Sequence, residues 1–339
     1  MNSKNIKKHL NAKLKDWLDS ITDEEVKRII KNNVIITGGA MVSLLTGEKV
    51  HDYDVYLRTK DACVAVAKYY IDQWNTQHPN DKQASLVVEE DKTETKKVIK
   101  DKDLPFSDEN SMEIPVTIPG RVKVFIQSDG VAGEIKEETE NGRTMPVSGE
   151  QPFPPIDLEE EMTDEDKAAM EDAANDNEDK PKYRPVFLSS NAITLSDKVQ
   201  VVVRFYGEVE EIHKNYDFAH CTCSWTSWDN EVQLPTKALE CIINKELYYV
   251  GSKYPLCSII RTRKYLERGY HINAGQYVKM AFQLNELNLY DIKTLEDQLT
   301  GVDSGYFAFM IEALQKKADE TGEAKVDQSY VFELLNRMF

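Results

Sequence analysis

The sequence predicts an α/β (α+β) fold: a mixed β-sheet, interrupted by an acidic insertion and followed by a helical C-terminal domain. Three observations predict it. Short β-rich runs alternate with helical periodicity up to about residue 83, and residues 131–180 carry 17 Asp and Glu against 4 Lys and Arg. From Tyr254 onward, apolar residues recur at helical spacing. With 339 residues, 41% hydrophobic and 30% charged, the chain can bury a sizeable core, which excludes a wholly disordered protein. Its segments read as a first part of the sheet domain (1–83), an insertion with an acidic loop (84–184), a second part of the sheet domain (185–250) and a helical domain (251–339).

The elements follow in order. A helix is expected over Asn5 to Leu18, and a second is expected to start at Thr22, whose hydroxyl caps it while Glu25 completes a capping box. Val34 to Thr37 is a short β-rich run ended by Gly38-Gly39, and Met41, Val42, Leu44 and Leu45 suggest a helix behind it. Asp52 to Leu57 alternates as a strand, with a helix over Ala62 to Trp74. ASLVVEE, MEIPVTI and RVKVFIQ then read as strands of a meander. The acidic stretch has too few large apolar groups to offset the entropy of ordering it, although Asp164 to Ala174 could form a solvated helix. VFLSSNAITL, VQVVVRF and DFAHCTC supply further strands, with Val199, Val201, Val203 and Phe205 on one face and Gln200 and Arg204 on the other.

Composition also bounds function. The basic N-terminal stretch lacks the apolar core of a secretory signal, and no run approaches the roughly 18 apolar residues of a membrane span. A soluble, cytoplasmic protein with no membrane partner is therefore expected. The five cysteines are few, odd in number and set among apolar residues, which suits reduced core thiols. The acidic stretch holds −13 of the net charge of −17, so the rest of the surface is nearly neutral. Duplex DNA is not expected as a partner of such a chain, while a local phosphate site is permitted.

Chemistry concentrates in residues 34–57, VIITGGAMVSLLTGEKVHDYDVYL. A glycine pair between strand and helix lets backbone N–H groups approach an anion, and the helix start adds its positive end. Gly38, Gly39 and Ser43 are thus candidate phosphate ligands. Residues i and i+2 of a strand share a face, so Asp52 and Asp54 project together while Tyr53 and Val55 pack behind. Paired carboxylates repel unless neutralised, and hard oxygen ligands select Mg²⁺ or Mn²⁺.

Gly38-Gly39, Leu44-Leu45, Gly47 and Asp52-Tyr53-Asp54-Val55 resemble the signature of the nucleotidyltransferase superfamily, which includes poly(A) polymerases and CCA-adding enzymes. Val42 and Ser43 stand where an Arg-Asp pair follows the glycines in that group. The resemblance implies a palm fold with a third carboxylate on a later strand, for which Asp217 is the candidate, with Asp197 and Asp229 as replacements. The context of Asp217 is similar to that in nucleotidyltransferase-like proteins of phages and large DNA viruses. The mechanism so implied uses two metal ions on Asp52, Asp54 and Asp217 to transfer NMP from an NTP to a hydroxyl of RNA, a protein or a small molecule, releasing pyrophosphate.

In the C-terminal domain, Arg261, Lys264 and Arg268 form one helical stripe, and helices so placed in related enzymes reach over the cleft. That makes Arg261 and Lys264 candidate triphosphate ligands. Two other readings compete with the enzyme: a phage structural or interaction protein with a silent nucleotidyltransferase fold, acting in the host cytoplasm or virion, and a toxin-type nucleotidyltransferase.

Overall fold

The computed structural model describes residues 1–79, 83–99, 111–126, 181–189, 191–299, 310, 313–317 and 328–338. The acidic stretch and its suggested helix lie outside them. Two helices lead, α1 (Ser3–Ser20) and α2 (Glu24–Asn33). In α1 the buried residues Ile6, Leu10, Leu14 and Trp17 form a single stripe at spacings of three and four, which makes the helix one-sided. The cap of α2 is Asp23 and not Thr22. The Asp23 carboxylate accepts from the N–H groups of Glu25 and Val26, while the Thr22 N–H is turned to the Tyr69 hydroxyl. An ionised acceptor at the positive helix end outcompetes a hydroxyl one residue earlier.

Strand β1 (Val34–Thr37) is followed by α3 (Gly39–Thr46), β2 (Tyr53–Leu57) and α4 (Lys60–Gln77). The insertion adds β3 (Ala84–Val88), β4 (Lys92–Ile99), β5 (Ser111–Ile118) and β6 (Val122–Ile126). These four are nested and do not form a meander: β3 pairs with β6, and β4 with β5. The chain then returns through β7 (Pro185–Leu188), β8 (Ala192–Leu195) and β9 (Val199–Tyr206) to the short helix α5 (Val209–His213). Strands β10 (Ser224–Thr226) and β11 (Val232–Gln233) close the sheet. The sheet has seven strands in the order β11-β10-β1-β2-β9-β8-β7, and it is mixed because only β2 and β9 run parallel.

One face of this sheet makes the main core, where Val34, Ile36, Tyr53, Val55, Val199 and Val201 meet α1, α2 and α4. Ala84, Val122 and Val124 join the same cluster, so the insertion's inner strands share it. On the other face, Ile35 and Tyr56 pack on Val209 and Ile212 of α5. Phe205 lies with this second cluster, away from the other three residues grouped with it by alternation. The cause is a bulge: Val203 and Arg204 both donate to the Asn191 carbonyl, at 2.9 and 3.2 Å, which shifts the phase of the strand.

After α6 (Thr236–Asn244), the chain continues as α7 (Pro255–Glu267), α8 (Ala274–Leu284), α9 (Ile292–Leu299) and α10 (Gln328–Met338). Leu295, Leu299, Met310, Leu314 and Leu334 form a separate apolar cluster there, with Leu256 and Ile260 of α7 against it. DFAHCTC is not a strand. Only Phe218 makes a bridge, to Tyr249, before a 3-10 turn over Ala219–Cys221. All five cysteines are buried and free.

Candidate functional site

The end of β1 is held by a polar network. The buried Thr37 hydroxyl donates to the Cys223 carbonyl at 2.8 Å and is hydrogen-bonded to His213 Nε2 at 2.9 Å. Gly38 follows with φ of 73°, the left-handed region that glycine enters without penalty, and its N–H donates to the Cys221 carbonyl at 3.1 Å. That N–H is therefore committed within the fold. Gly39 opens α3 and is exposed, and a Cβ placed on it would meet nothing within 4 Å. The first helical bond runs from the Val42 N–H to the Gly38 carbonyl, so the N–H groups of Gly39, Ala40 and Met41 precede the helix ladder. Ser43 is half-buried in the second turn, with its carbonyl accepting from Gly47 and Glu48.

Beside this turn stands Asp54. It is half-buried on β2, and its Oδ2 lies 3.5 Å from where a Cβ on Gly38 would sit, with the Tyr216 hydroxyl 3.4 Å from the same point. Asp52 is exposed, just ahead of the strand. Tyr56, on the same strand face as Asp54, packs against Tyr216 with ring centroids 6.2 Å apart. Burial pushes both tyrosine hydroxyls upward, and the Asp54 charge adds to each shift. The Cys221 thiol is pushed up to about 12, by burial first and then by Asp217 and Asp54. A thiol so raised is no nucleophile at neutral pH.

Asp217 is buried and ion-paired with Arg261 of α7, whose Nη2 also donates to Cys257 Sγ at 3.0 Å. Burial opposes the Arg261 charge, but Asp217, Cys257 and Tyr265 outweigh it and hold the guanidinium above its ordinary value. Lys264 is exposed. Asp197 and Asp229 are turn residues: Asp197 accepts from the Tyr183 N–H and the Ser196 hydroxyl, and Asp229 from the Thr226 hydroxyl and the Glu231 N–H.

The fold therefore brings Gly38, Asp54, Tyr56 and Tyr216 together. Asp217 acts on the same Cys221 thiol as Asp54, yet its carboxylate is taken by a guanidinium. Among the described residues no group of three or more His, Cys, Asp or Glu is placed to hold a metal ion. His51 is exposed, and His220 is buried against the rings of Tyr265 and Tyr270, its value lowered to about 4 by burial and the Arg268 charge. Sequence reasoning did not find Tyr216, His213 or Thr37; a lone tyrosine, histidine or threonine carries no spacing signal.

Among the described residues no helix is long and apolar enough to cross a membrane. No curated protein and no solved structure matches the chain. A family model described as Gabija anti-defense 2 family protein matches residues 8–245, which span the whole seven-stranded sheet. This corrects the resemblance to the nucleotidyltransferase superfamily. The family found across Gly38, Asp54 and Asp217 is an anti-defense family, and the signature that suggested otherwise covers only a short stretch of it.

Proposed function

Because this chain belongs to the Gabija anti-defense 2 family, we propose that it is a phage protein that blocks a host Gabija defence by engaging one of that system's components. The carrying observation is the family match over residues 8–245. Exposed apolar side chains can anchor a partner, and α8, beyond the matched residues, offers Val278 and Phe282 one turn apart at 52% and 72% exposure. The test is to co-express the chain with a Gabija system in a bacterium challenged by phage. Restored plaque formation, together with recovery of a Gabija component on the tagged chain, supports the reading. Unrestored plaques with the protein expressed and folded would refute it.

A second reading gives the inhibition a chemical step, and the placement of Asp54 beside Gly38 at the open head of α3 favours it. Asp52 and Asp54 would take part in transferring NMP from an NTP to a hydroxyl of a host molecule, the hydroxyl losing its proton and the α–β phosphoanhydride bond breaking to release pyrophosphate, with Mg²⁺ or Mn²⁺ as cofactor. This reading rests on the site's geometry and not on kinship. Asp52→Ala and Asp54→Ala variants that still rescue plaques at full strength would remove it, whereas transfer of label from an α-labelled NTP, lost in both variants, would sustain it.

A further inference from the structure

Arg204 follows the bulge in β9, and its side chain is only 6% exposed. Its Nη2 donates to the Tyr254 hydroxyl at 2.5 Å, and its guanidinium lies 4.9 Å from the Tyr254 ring centroid and 5.4 Å from that of Phe205. Its Nε is buried with no hydrogen-bond partner. Among the described residues, the carboxylate paired with it is Asp297 of α9, whose Oδ1 is 3.8 Å from Arg204 Nη2 and also 3.8 Å from Arg121 Nη2. Arg121 lies immediately before β6. At that distance neither arginine is hydrogen-bonded to the carboxylate. Two guanidinium groups thus share one carboxylate oxygen. Lys253 adds a third cation beside Tyr254, and among the described residues the acids Glu89 and Asp91, near Arg121, are already paired with Lys123 at 2.9 Å and Lys60 at 3.0 Å.

A buried guanidinium is stable only when its donors are met and its charge is balanced. Here one N–H is orphaned and the counter-charge is shared and loose. We propose that Arg121 and Arg204 form a binding site for a phosphate-type oxyanion at the junction of the central sheet, the insertion and the C-terminal helices, with Asp297 as the internal carboxylate that the oxyanion displaces. A tetrahedral oxyanion offers separate oxygens to each guanidinium fork, which the single Asp297 oxygen does not. Asp297 is 44% exposed, so it can turn to solvent as the oxyanion enters. The site shares no residue with the group at Gly38 and Asp54 and does not depend on the anti-defense reading.

The test is calorimetric titration of the full chain with inorganic phosphate and with AMP, against chloride at matched ionic strength. Saturable phosphate binding is expected, weakened about tenfold by Arg121→Gln and tightened by Asp297→Asn, which removes the competing carboxylate. Equal binding of phosphate and AMP identifies a free oxyanion as ligand, and tighter AMP binding identifies a nucleotide; both support the site. Because Arg204→Ala is prone to misfold, the two half-buried positions, Arg121 and Asp297, carry the comparison. Phosphate effects no larger than chloride's, or binding unchanged in both variants, would overturn the proposal.

Discussion

Gly38 and Gly39 are adjacent and do different jobs. At Gly38 the positive φ disfavours any side chain, while the Tyr216 hydroxyl and Asp54 would meet its Cβ at ordinary contact distance, so Gly38→Ala is expected to cost roughly 1–2 kcal/mol in urea unfolding. At Gly39 the surroundings are open and the residue begins a helix, so Gly39→Ala should leave stability equal or slightly raised. His213 makes the second residue-scale prediction. Burial lowers its value from 6.5 to about 4, against the opposing pull of Glu210, so the unfolded chain takes up a proton that the folded chain refuses. The contribution of neutral His213 is therefore complete above about pH 6.5 and lost as pH falls toward 4. His213→Gln should flatten the fall of stability with pH across that window, as read by denaturant midpoints.

Among the elements, those with one strong signal were legible. The stripe of α1 and the run of β1 were readable, and the alternation of β2 placed Asp54 on the face opposite the core residues Tyr53 and Val55. What failed was pairing and competition. Nested and meandering strands share the same alternation, and only the partners distinguish them. DFAHCTC has strand composition, yet its backbone folds into a buried 3-10 turn whose Cys221 carbonyl receives the Gly38 N–H. At α2 two capping residues stood side by side. The structure gives the cap to Asp23, so Asp23→Ala should lower stability by about 1 kcal/mol and Thr22→Ala by clearly less, measured by thermal unfolding.

Across the whole molecule, Arg261 and Asp217 join the C-terminal helices to the sheet side, and no sequence signal links two residues that meet only in the fold. Their exposures differ, 36% for the arginine and 5% for the aspartate, and this makes the pair asymmetric. Arg261→Ala strands a buried carboxylate and should cost about 3–5 kcal/mol. Asp217→Ala leaves a guanidinium that water can reach, and should cost less. The double variant should cost less than the sum, and a double-mutant cycle by urea unfolding would show it. The family match ends at residue 245, so this arginine lies beyond the matched region while its partner lies within it. The parallel pairing of β2 with β9 has a further consequence, in time and not in energy. Tyr53 meets Val199 and Asp54 meets Gln200 across the entire insertion. A chain emerging from the ribosome must therefore wait for the second half of the sheet with one edge of β2 unpaired. Such a wait makes for slow folding and gives the insertion's own nested hairpins time to form first.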